Sequence, residues 1–415
     1  MTSMAKSRIV TGLDIGTHTI KALVAQKIRN EWEVLSYATI PSFGLRRGAV
    51  VNIDETAKNI QLLMSGVKKD CGRKINSVFV NIGGSHLYAT SSDGLISVSR
   101  ADHIISKEDV DRVLQATRAI NIPSNEDILD VFPKEFIIDD HKGIKQPLGL
   151  VGVRLEAKVI LLCYFQSYFM NLTQAVLNSS LQIDDIVPSP LAAARAVLTP
   201  QQKEMGVALI DIGHATTSMA VFEEGDLIHF AVLPLGSGNI TNDIAIGLKT
   251  EVVVAEDIKK QHGACILPLS EKIKKEQANK KIEVFDKSAS LSFTKNNLVS
   301  IIEPRVSEIL GLMQKELKSI GRQELLPGGV VLTGGGAKLP KIKELAREQL
   351  RLTCGIGMPK GISGIDQDPA LATITGLVLG GSDFYDETKK WTGFPFGFVK
   401  NIGLNFKKIF RVFIP

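Results

Sequence analysis

Residues Gly206–Phe222, GVALIDIGHATTSMAVF, contain two apolar runs separated by a polar turn that holds Asp211 and Gly213. Aliphatic and β-branched runs on either side of a short turn predict a strand–turn–strand unit. The glycine lets backbone approach a ligand closely, successive N–H groups can line an anion, and a carboxylate at the strand end can order a divalent cation. The stretch therefore predicts a site for phosphate and a metal ion, although ordinary hairpins carry the same strand–Asp–x–Gly–strand pattern.

A second copy of this pattern occurs near the N-terminus. Residues Arg8–Val24 read RIVTGLDIGTHTIKALV. In this copy Asp14 matches Asp211, and Gly16 matches Gly213. Two copies about two hundred residues apart indicate two related halves that clamp one ligand.

The composition is that of a soluble globular protein. Hydrophobic residues make up 44% of the 415 residues and charged residues 22%, which is typical of a chain with two or more domains. The net charge of +5 is modest and no arginine-rich run with interleaved aromatics occurs, so we expect no nucleic-acid partner. The four cysteines are far apart and lack metal-ligand spacing. This pattern indicates reduced thiols in a cytoplasmic protein. Neither a signal-peptide pattern nor ~18 uninterrupted apolar residues, the length of a spanning helix, is present.

The sequence pattern changes after the first 84 residues. Up to that point predicted strands alternate with a helix, as in a mixed α/β sheet. From Ser85 to about Arg154 come polar strands and a predicted helix, Ser106–Ile120, in which Ser106 and Asp109 have the spacing of a capping box. We predict a small domain inserted into a larger α/β one.

Glycine-rich turns punctuate the second half. Gly236–Asn239 predict a turn before a helix at Ile240–Leu248. Gly328–Thr333 predict a strand that runs into Gly334–Gly336 and then a helix. A strand, three glycines and a helix are typical of a segment that approaches a ligand.

Two predicted helices contain unusual residues. Pro188–Val197, PSPLAAARAV, is dense in alanine, which either lets two helices pass closely or reflects helix propensity alone. Pro304 lies inside the predicted helix Asn297–Ile320, where it should kink the helix or mark its start.

The last predicted helix is amphipathic. At ~100° per residue its apolar side chains share an arc of about 120°. They are Phe398, Val399, Ile402, Phe406, Ile409, Phe410 and Phe413. The cations Lys400, Lys407, Lys408 and Arg411 face away from that arc, and no acidic residue follows Glu387. This pattern favours a helix in a membrane interface; a helix that docks on another surface is the alternative.

Several motifs together resemble the actin-like ATPase superfamily. They are the two DIG turns, SPLAAARAV, AEDIKK, VVLTGGGAKL and DPALATITG, in that order. Within that superfamily the insertion, the segments GIKQPLGLVGVRLEAKV and IIEPR, and the basic tail resemble the bacterial FtsA family, over essentially the whole chain.

The resemblance implies an α/β, two-lobed actin-like ATPase fold with an inserted small α+β domain and a C-terminal amphipathic helix. It also implies ATP and magnesium in the cleft, weak hydrolysis at most, actin-like protofilaments, and peripheral attachment to the cytoplasmic face of the cell membrane. Implied partners are the C-terminal tail of FtsZ, further copies of the chain, anionic lipid and later division proteins at the division site.

The implied organisation follows from the order of the motifs. The ranges are a first lobe at 1–84 and 155–203, the inserted domain at 85–154, a second lobe at 204–236 and 321–382 with a small subdomain at 237–320, a linker at 383–396 and the amphipathic helix at 397–415.

The resemblance also implies roles for individual residues. The first phosphate turn comprises Asp14, Gly16, Thr17, His18, Thr19 and Lys21, and the second comprises Asp211, Gly213, His214, Ala215 and Thr216. The adenosine side comprises Gly238, Asn239, Glu256, Lys259, Lys260, Gly334, Gly335 and Gly336. Asp14 and Asp211 would hold magnesium through water, and Arg305 matches the groove for the FtsZ tail.

Three residues depart from the family pattern. The second turn usually reads Asp-Ile-Gly-Gly-Gly-Thr, whereas here His214 and Ala215 replace the later glycines, and His18 lies in the first turn. The histidines either crowd the terminal phosphate or donate hydrogen bonds to it.

Two other classes share part of the pattern. A sugar-kinase-type phosphotransferase has both phosphate turns but no use for a basic amphipathic C-terminus. The actin-like assembly protein of type IV pilus machinery shares the two-lobed scaffold but is not expected to end in such a tail.

Overall fold

The computed structural model describes residues 8–29, 31–267, 281–285 and 290–385. The predicted amphipathic helix at 397–415 and most of the predicted linker at 383–396 lie outside these residues. Within them, no helix combines the length and the apolar character needed to cross a membrane.

The first lobe is built on a six-stranded sheet with the order β11-β6-β1-β2-β3-β19. Its strands are β1 Arg8–Ile15, β2 Thr19–Ile28, β3 Glu31–Pro41, β6 Ser77–Ile82, β11 Gln182–Pro188 and β19 Ile362–Ser363, and a small hairpin joins β4 Leu45–Arg46 to β5 Ala49–Val50. Its helices are α1 Ile53–Cys71, α3 Gln166–Asn178, α4 Ser189–Val197 and α5 Pro200–Met205.

The second lobe contains a five-stranded sheet with the order β14-β13-β12-β17-β18. Its strands are β12 Val207–Ile212, β13 Thr217–Glu223, β14 Asp226–Leu233, β17 Val330–Thr333 and β18 Cys354–Ile356, with a separate hairpin of β15 Lys281–Phe285 and β16 Ser290–Thr294. Its helices are α6 Ser237–Leu248, α7 Val252–His262, α8 Lys295–Ser319 and α9 Ile342–Leu350, and short 3-10 turns lie at Gly335–Lys338 and Pro369–Leu371. The last helix, α10 Ala372–Tyr385, packs on β1, β2 and β6 of the first sheet, so the end of the range 321–382, predicted to belong to the second lobe, packs with the first.

The two sheets repeat one topology. β1, β2 and β3 form an antiparallel meander, β6 runs parallel to β1, and β11 runs parallel to β6. In the second sheet β12, β13 and β14 form the meander, β17 runs parallel to β12, and β18 runs parallel to β17. The duplication predicted from the two DIG turns is therefore confirmed at the level of whole sheets.

The insertion forms its own four-stranded sheet, in the order β7-β10-β8-β9, with a separate apolar core. It comprises β7 Leu87–Ser97, α2 Lys107–Ala116, β8 Glu126–Ile138, β9 His141–Ile144 and β10 Arg154–Phe165. The capping box of Ser106 and Asp109 is confirmed, although α2 ends at Ala116, four residues before the predicted end. The boundary predicted at residue 154 needs correction, because β10 pairs with β7 and β8 along its whole length, so the sheet of the insertion extends to Phe165.

Two local predictions need correction. The helix α6 begins at Ser237, so Gly238 and Asn239 lie in its first turn and not in a loop before it; carbonyl oxygens of a neighbouring turn accept its first N–H groups, from Ser237 and Gly238. Pro304 does not mark the start of α8, which runs through it from Lys295. Apolar side chains buried on both sides of the proline offset the lost hydrogen bond.

The alanine-dense helix α4 packs closely against α10. A Cβ atom at Gly376 would lie 1.7 Å from the Ala192 carbonyl oxygen, so the two backbones touch. α4 contacts β12 and β13, while α10 contacts β1, β2 and β6. The pair therefore joins the two sheets, and small side chains are required where they cross.

Replacing Gly376 by alanine should lower the melting temperature, because the added carbon meets a backbone carbonyl that moves only if α4 and α10 separate. Overpacking of a core costs about 1–3 kcal/mol, occasionally more. Gly311→Ala is the matched control: nothing lies within 4 Å of the added carbon, and alanine favours the α8 helix. Equal melting temperatures for the two variants would contradict the close packing.

Candidate functional site

A cavity of about 670 Å³ lies between the lobes, where the β1–β2 and β12–β13 turns approach each other. Most predicted site residues line it: Asp14, Gly16, Thr17, His18, Thr19, Lys21, Asp211, Gly213, His214, Ala215, Thr216, Glu256, Lys259, Lys260, Gly334, Gly335 and Gly336. Gly238 and Asn239 do not line it, because they lie in α6 behind the second turn.

The two turns have the same backbone geometry. The Gly16 N–H donates to the Thr19 carbonyl at 3.1 Å, and the Gly213 N–H donates to the Thr216 carbonyl at 2.9 Å. A Cβ atom at either glycine would lie 2.9 Å from that carbonyl oxygen, closer than real Cβ atoms come. Both turns therefore require glycine to close.

Two carboxylates and one ammonium form the polar floor of the cavity. Lys21 Nζ lies 2.8 Å from Asp14 Oδ2, with both side chains largely buried. Burial alone would lower the pKa of Lys21, but the Asp14 carboxylate and its hydrogen bond raise it above its usual range. Burial, reinforced by the charge of Asp14, raises the pKa of Asp211 to about 6. The floor therefore has an excess of negative charge when Asp211 is ionised.

This donor set fits magnesium. Mg²⁺ is commonly held by one or two carboxylates together with phosphate oxygens and water. Asp14 and Asp211 supply two carboxylates, and no group of three or more His, Cys, Asp or Glu side chains suited to a metal occurs among the described residues. A cation here would therefore take its remaining oxygens from a ligand or from water.

Helix α7 supplies a charged wall. Lys259 Nζ donates to the Ser237 carbonyl, the Thr241 hydroxyl and Glu256 at 3.0, 2.7 and 2.6 Å, which uses all three of its N–H groups. Burial alone would raise the pKa of Glu256, but hydrogen bonds from Lys259 and Thr241 lower it to about 2. Lys260 is the more exposed cation, 3.3 Å from Glu256. Lys259 thus ties α7 to α6, and Lys260 is the lysine better placed to meet a ligand.

The glycine turn Gly334–Gly336, the third at the cavity, packs on the second phosphate turn. Gly334 has a φ of +81°, and a Cβ atom there would lie 2.2 Å from Asp211 Oδ1. Its N–H donates to the Pro369 carbonyl at 3.1 Å. Close by, Lys338 pairs with Asp368 at 2.6 Å. Glycine at 334 is thus needed to leave room for the Asp211 carboxylate.

His18 and His214 stack on each other across the cleft. Their ring centroids are 4.8 Å apart and their planes differ by 22°. A Cβ atom at Gly238 would lie 2.7 Å from the edge of the His214 ring. Gly238 therefore supports the second turn indirectly, by leaving space for this imidazole.

Sequence reasoning missed a polar link beneath the first turn. The Ile15 N–H donates to Asn81 Oδ1 at 2.7 Å, and Asn81 Nδ2 donates to the Ser189 hydroxyl at 3.0 Å. Asn81 is the next-to-last residue of the apolar strand β6, which Gly83 and Gly84 follow, and a polar residue near a strand end was the available signal. Other lining residues missed include Tyr37, Thr39, Gly48, Lys338 and Asp368.

Arg305 lies away from the cavity, on α8. Its guanidinium forms two hydrogen bonds to the Asp243 carboxylate, at 2.6 and 3.0 Å, and also contacts Glu308. The cation predicted to bind a partner is therefore already paired within the second lobe.

The fold is the actin-like ATPase fold. A chain in the solved PilM–PilN type IV pilus biogenesis complex is similar in fold, with a TM-score of 0.63 and 18% identity. The match covers 90% of the present chain and 98% of the chain in that complex. MreB5 of Spiroplasma citri bound to ADP matches 91% of this chain and 98% of its own, with a TM-score of 0.55 and 13% identity. At these identities the likeness concerns the fold alone.

Sequence comparison gives the family. The family model for cell division protein FtsA matches residues 208–376, and that for the SHS2 domain inserted in FtsA matches residues 84–163. The FtsA of Pseudomonas aeruginosa is 36% identical, covering 92% of this chain and 91% of the relative. The FtsA of Escherichia coli K12 is 30% identical, covering 91% of each. The chain belongs to the FtsA family of cell division proteins.

Replacing Asp211 by asparagine should raise the melting temperature of the ligand-free protein. Folding raises the pKa of this carboxyl from about 3.9 in an unfolded chain to about 6, so the folded state binds more protons between these values and ionisation destabilises it. The rise in melting temperature over wild type should therefore be small near pH 4, increase as the pH rises to about 6 and stay constant above pH 6.

Asp14→Asn is the matched control for this experiment. It leaves the buried Lys21 ammonium without its paired carboxylate and should lower the melting temperature. A gain for Asp211→Asn that does not change with pH, or a loss, would contradict the electrostatics of the cleft floor.

Proposed function

We propose that this chain binds ATP with magnesium in its cleft and assembles into actin-like filaments on the cytoplasmic face of the cell membrane. There it tethers FtsZ filaments at the division site and recruits later division proteins. The observation that carries the proposal is the pair of matching Asp-x-Gly turns that face one cavity from two duplicated sheets.

The residues around the cavity suit a magnesium nucleotide. The glycine turns bring backbone close to the cavity, as phosphate binding requires. Asp14 and Asp211 would hold the metal, which when bound would neutralise their repulsion and orient phosphate oxygens. Glu256 and Lys260 would meet the nucleoside side. MreB 5 of Spiroplasma citri, a neighbour in fold, was solved with ADP and with AMPPNP.

Turnover should be weak at most. Four carboxylates line the cavity, and Asp14, Glu256 and Asp368 are each paired with a lysine. The fourth, Asp211, is assigned to the metal. This lining leaves no carboxylate among the described residues with a clear role as a general base, so we expect nucleotide to regulate assembly.

Family membership favours the division role over the two alternatives. The relatives that match over most of their length are named cell division protein FtsA. The pilus complex matches in fold only. The solved double helical filament of MamK is another neighbour in fold, with a TM-score of 0.52 and 11% identity, which is consistent with self-assembly of this architecture.

The surface around Arg305 is the proposed site for the FtsZ tail. Arg305 is only partly buried and lies between two acids, Asp243 and Glu308. An acidic and apolar peptide would therefore compete with these carboxylates for the guanidinium. Arg305→Glu alone cannot test this, since it also leaves the two acids facing a third negative charge.

A charge swap separates the two effects. Arg305→Glu should reduce the affinity for an FtsZ tail peptide in a fluorescence polarisation titration. The double variant Asp243→Arg/Arg305→Asp restores an ion pair in reversed order and should recover the melting temperature without recovering peptide binding. If the double variant recovers both the melting temperature and the peptide affinity, Arg305 acts only by stabilising α6 against α8. That result would contradict the proposed FtsZ-tail site.

The membrane proposal rests on the sequence of the tail, which lies outside the described residues. Seven apolar side chains on one arc would enter the interface at ~25 cal/mol per Å² buried. Four cations opposite would add about 1 kcal/mol each near anionic lipid. One tail gives reversible binding, whereas a filament that presents many tails gains avidity.

Deletion of residues 394–415 should abolish co-sedimentation with anionic liposomes at physiological salt while leaving the protein folded. Phe406→Glu should have nearly the same effect, because it places a charge in the apolar arc. Asn401→Glu adds the same charge on the polar face and should reduce binding less. A truncated protein that still pellets with liposomes would exclude the anchor and favour the docking-helix alternative.

A further inference from the structure

The stacked imidazoles of His18 and His214 connect the tips of the two phosphate turns, which belong to different lobes. With ring centroids 4.8 Å apart and planes within 22° of parallel, the rings are in contact. Both residues line the cavity. A phosphate group cannot enter between rings at this separation, so a ligand that reaches the turn tips must part them or stop short of them.

The backbones of both turns are fixed, which limits how the pair can open. The His18 carbonyl accepts a hydrogen bond from the Ser42 N–H at 3.0 Å, and the His214 carbonyl accepts one from the Gly238 N–H at 2.7 Å. The edge of the His214 ring abuts Gly238, so this ring cannot swing toward α6. His18 is exposed and is the ring with room to move.

Neither imidazole makes a hydrogen bond to another described residue, so their ring N–H groups are available to a ligand. Burial, partly opposed by Glu256, lowers the pKa of His18. Burial and the neighbouring His18 lower the pKa of His214. Both rings are therefore mainly neutral near pH 7 and can stack without charge repulsion.

The charged groups that face the pair are mainly cations, of which Lys21 is paired with Asp14 and Lys259 with Glu256. They are Lys21 on β2 and Lys259, Lys260 and Glu256 on α7. A phosphate dianion placed beside the imidazoles would favour their protonated forms and accept charge-assisted hydrogen bonds from them.

We propose that the His18–His214 stack closes the two phosphate turns on each other without ligand, and parts to bind the terminal phosphate of a nucleoside triphosphate. This inference rests on the proposed binding of magnesium nucleotides in the same cleft. It assigns the two histidines, which lie in otherwise glycine-rich turns, to discrimination between ATP and ADP. Because the bound rings take up protons, ATP should bind more tightly as the pH falls toward the usual imidazole range.

The test is a titration of Mg-ATP and Mg-ADP into wild type and variants at pH 6 and pH 8. Wild type should prefer ATP, and the preference should be larger at pH 6. The double variant His18→Gln/His214→Gln should lose roughly tenfold in ATP affinity, the size expected for lost hydrogen bonds to a charged group, together with the pH dependence. Its ADP affinity should stay within about threefold, a change below that of one such bond.

Two further variants separate stacking from hydrogen bonding. His18→Phe keeps a ring for His214 to stack on but has no N–H group, so it should weaken ATP binding as His18→Gln does. His229→Gln, whose imidazole pairs with Glu316 at 2.9 Å on another face, is the control and should leave both affinities unchanged.

The outcomes distinguish this inference from the proposed function. If the folded glutamine variants bind ATP as tightly as wild type, or more tightly, the histidines only obstruct the site and the inference is wrong, while nucleotide binding stands. If wild type binds neither nucleotide, the proposed function fails, and this inference fails with it.

Discussion

One backbone hydrogen bond closes the turn between the first two strands of each lobe, from Gly16 to Thr19 and from Gly213 to Thr216. A side chain at either glycine would collide with the carbonyl that accepts this bond. The tight closure lets an aspartate at the end of the first strand lie at the cavity beside backbone N–H groups. Because the duplicated sheets face each other, two such turns converge on one cavity, and the other groups at the site are arranged around them.

The electrostatics of the cleft follow from this convergence. Lys21 pairs with Asp14, whereas burial, reinforced by the charge of Asp14, raises the pKa of Asp211. The third glycine turn presses on the same carboxylate, and Lys259 holds α7 against α6 beside the second turn. The α4–α10 crossing then joins the two sheets that carry the turns, with Gly376 against the Ala192 backbone. Small residues at a few positions thus set how closely the lobes approach.

The parts of this structure that depend on local sequence could be predicted, and those that depend on distant partners could not. Each strand–turn–strand unit, like the capping box at Ser106, is determined by a short local segment of sequence. The repeat of the DIG turn predicted the duplicated sheets. Asn81 contacts a residue 66 positions away and another 108 positions away, so its role left no local trace. Likewise Arg305 was visible as a cation, but its partner Asp243 is 62 positions distant. The start of α6 was misplaced because carbonyl groups of the second turn, far from any helix pattern, accept its first N–H groups.

The central claim is that two matching turns hold one magnesium nucleotide in the cleft. A thermal unfolding experiment tests it most directly, because a ligand that binds only the native state raises the melting temperature by mass action. We predict a clear rise in the melting temperature of the folded wild-type chain in millimolar Mg-ATP, and a smaller rise when a chelator removes the metal. An unchanged melting temperature in millimolar Mg-ATP would contradict the assignment of the cleft.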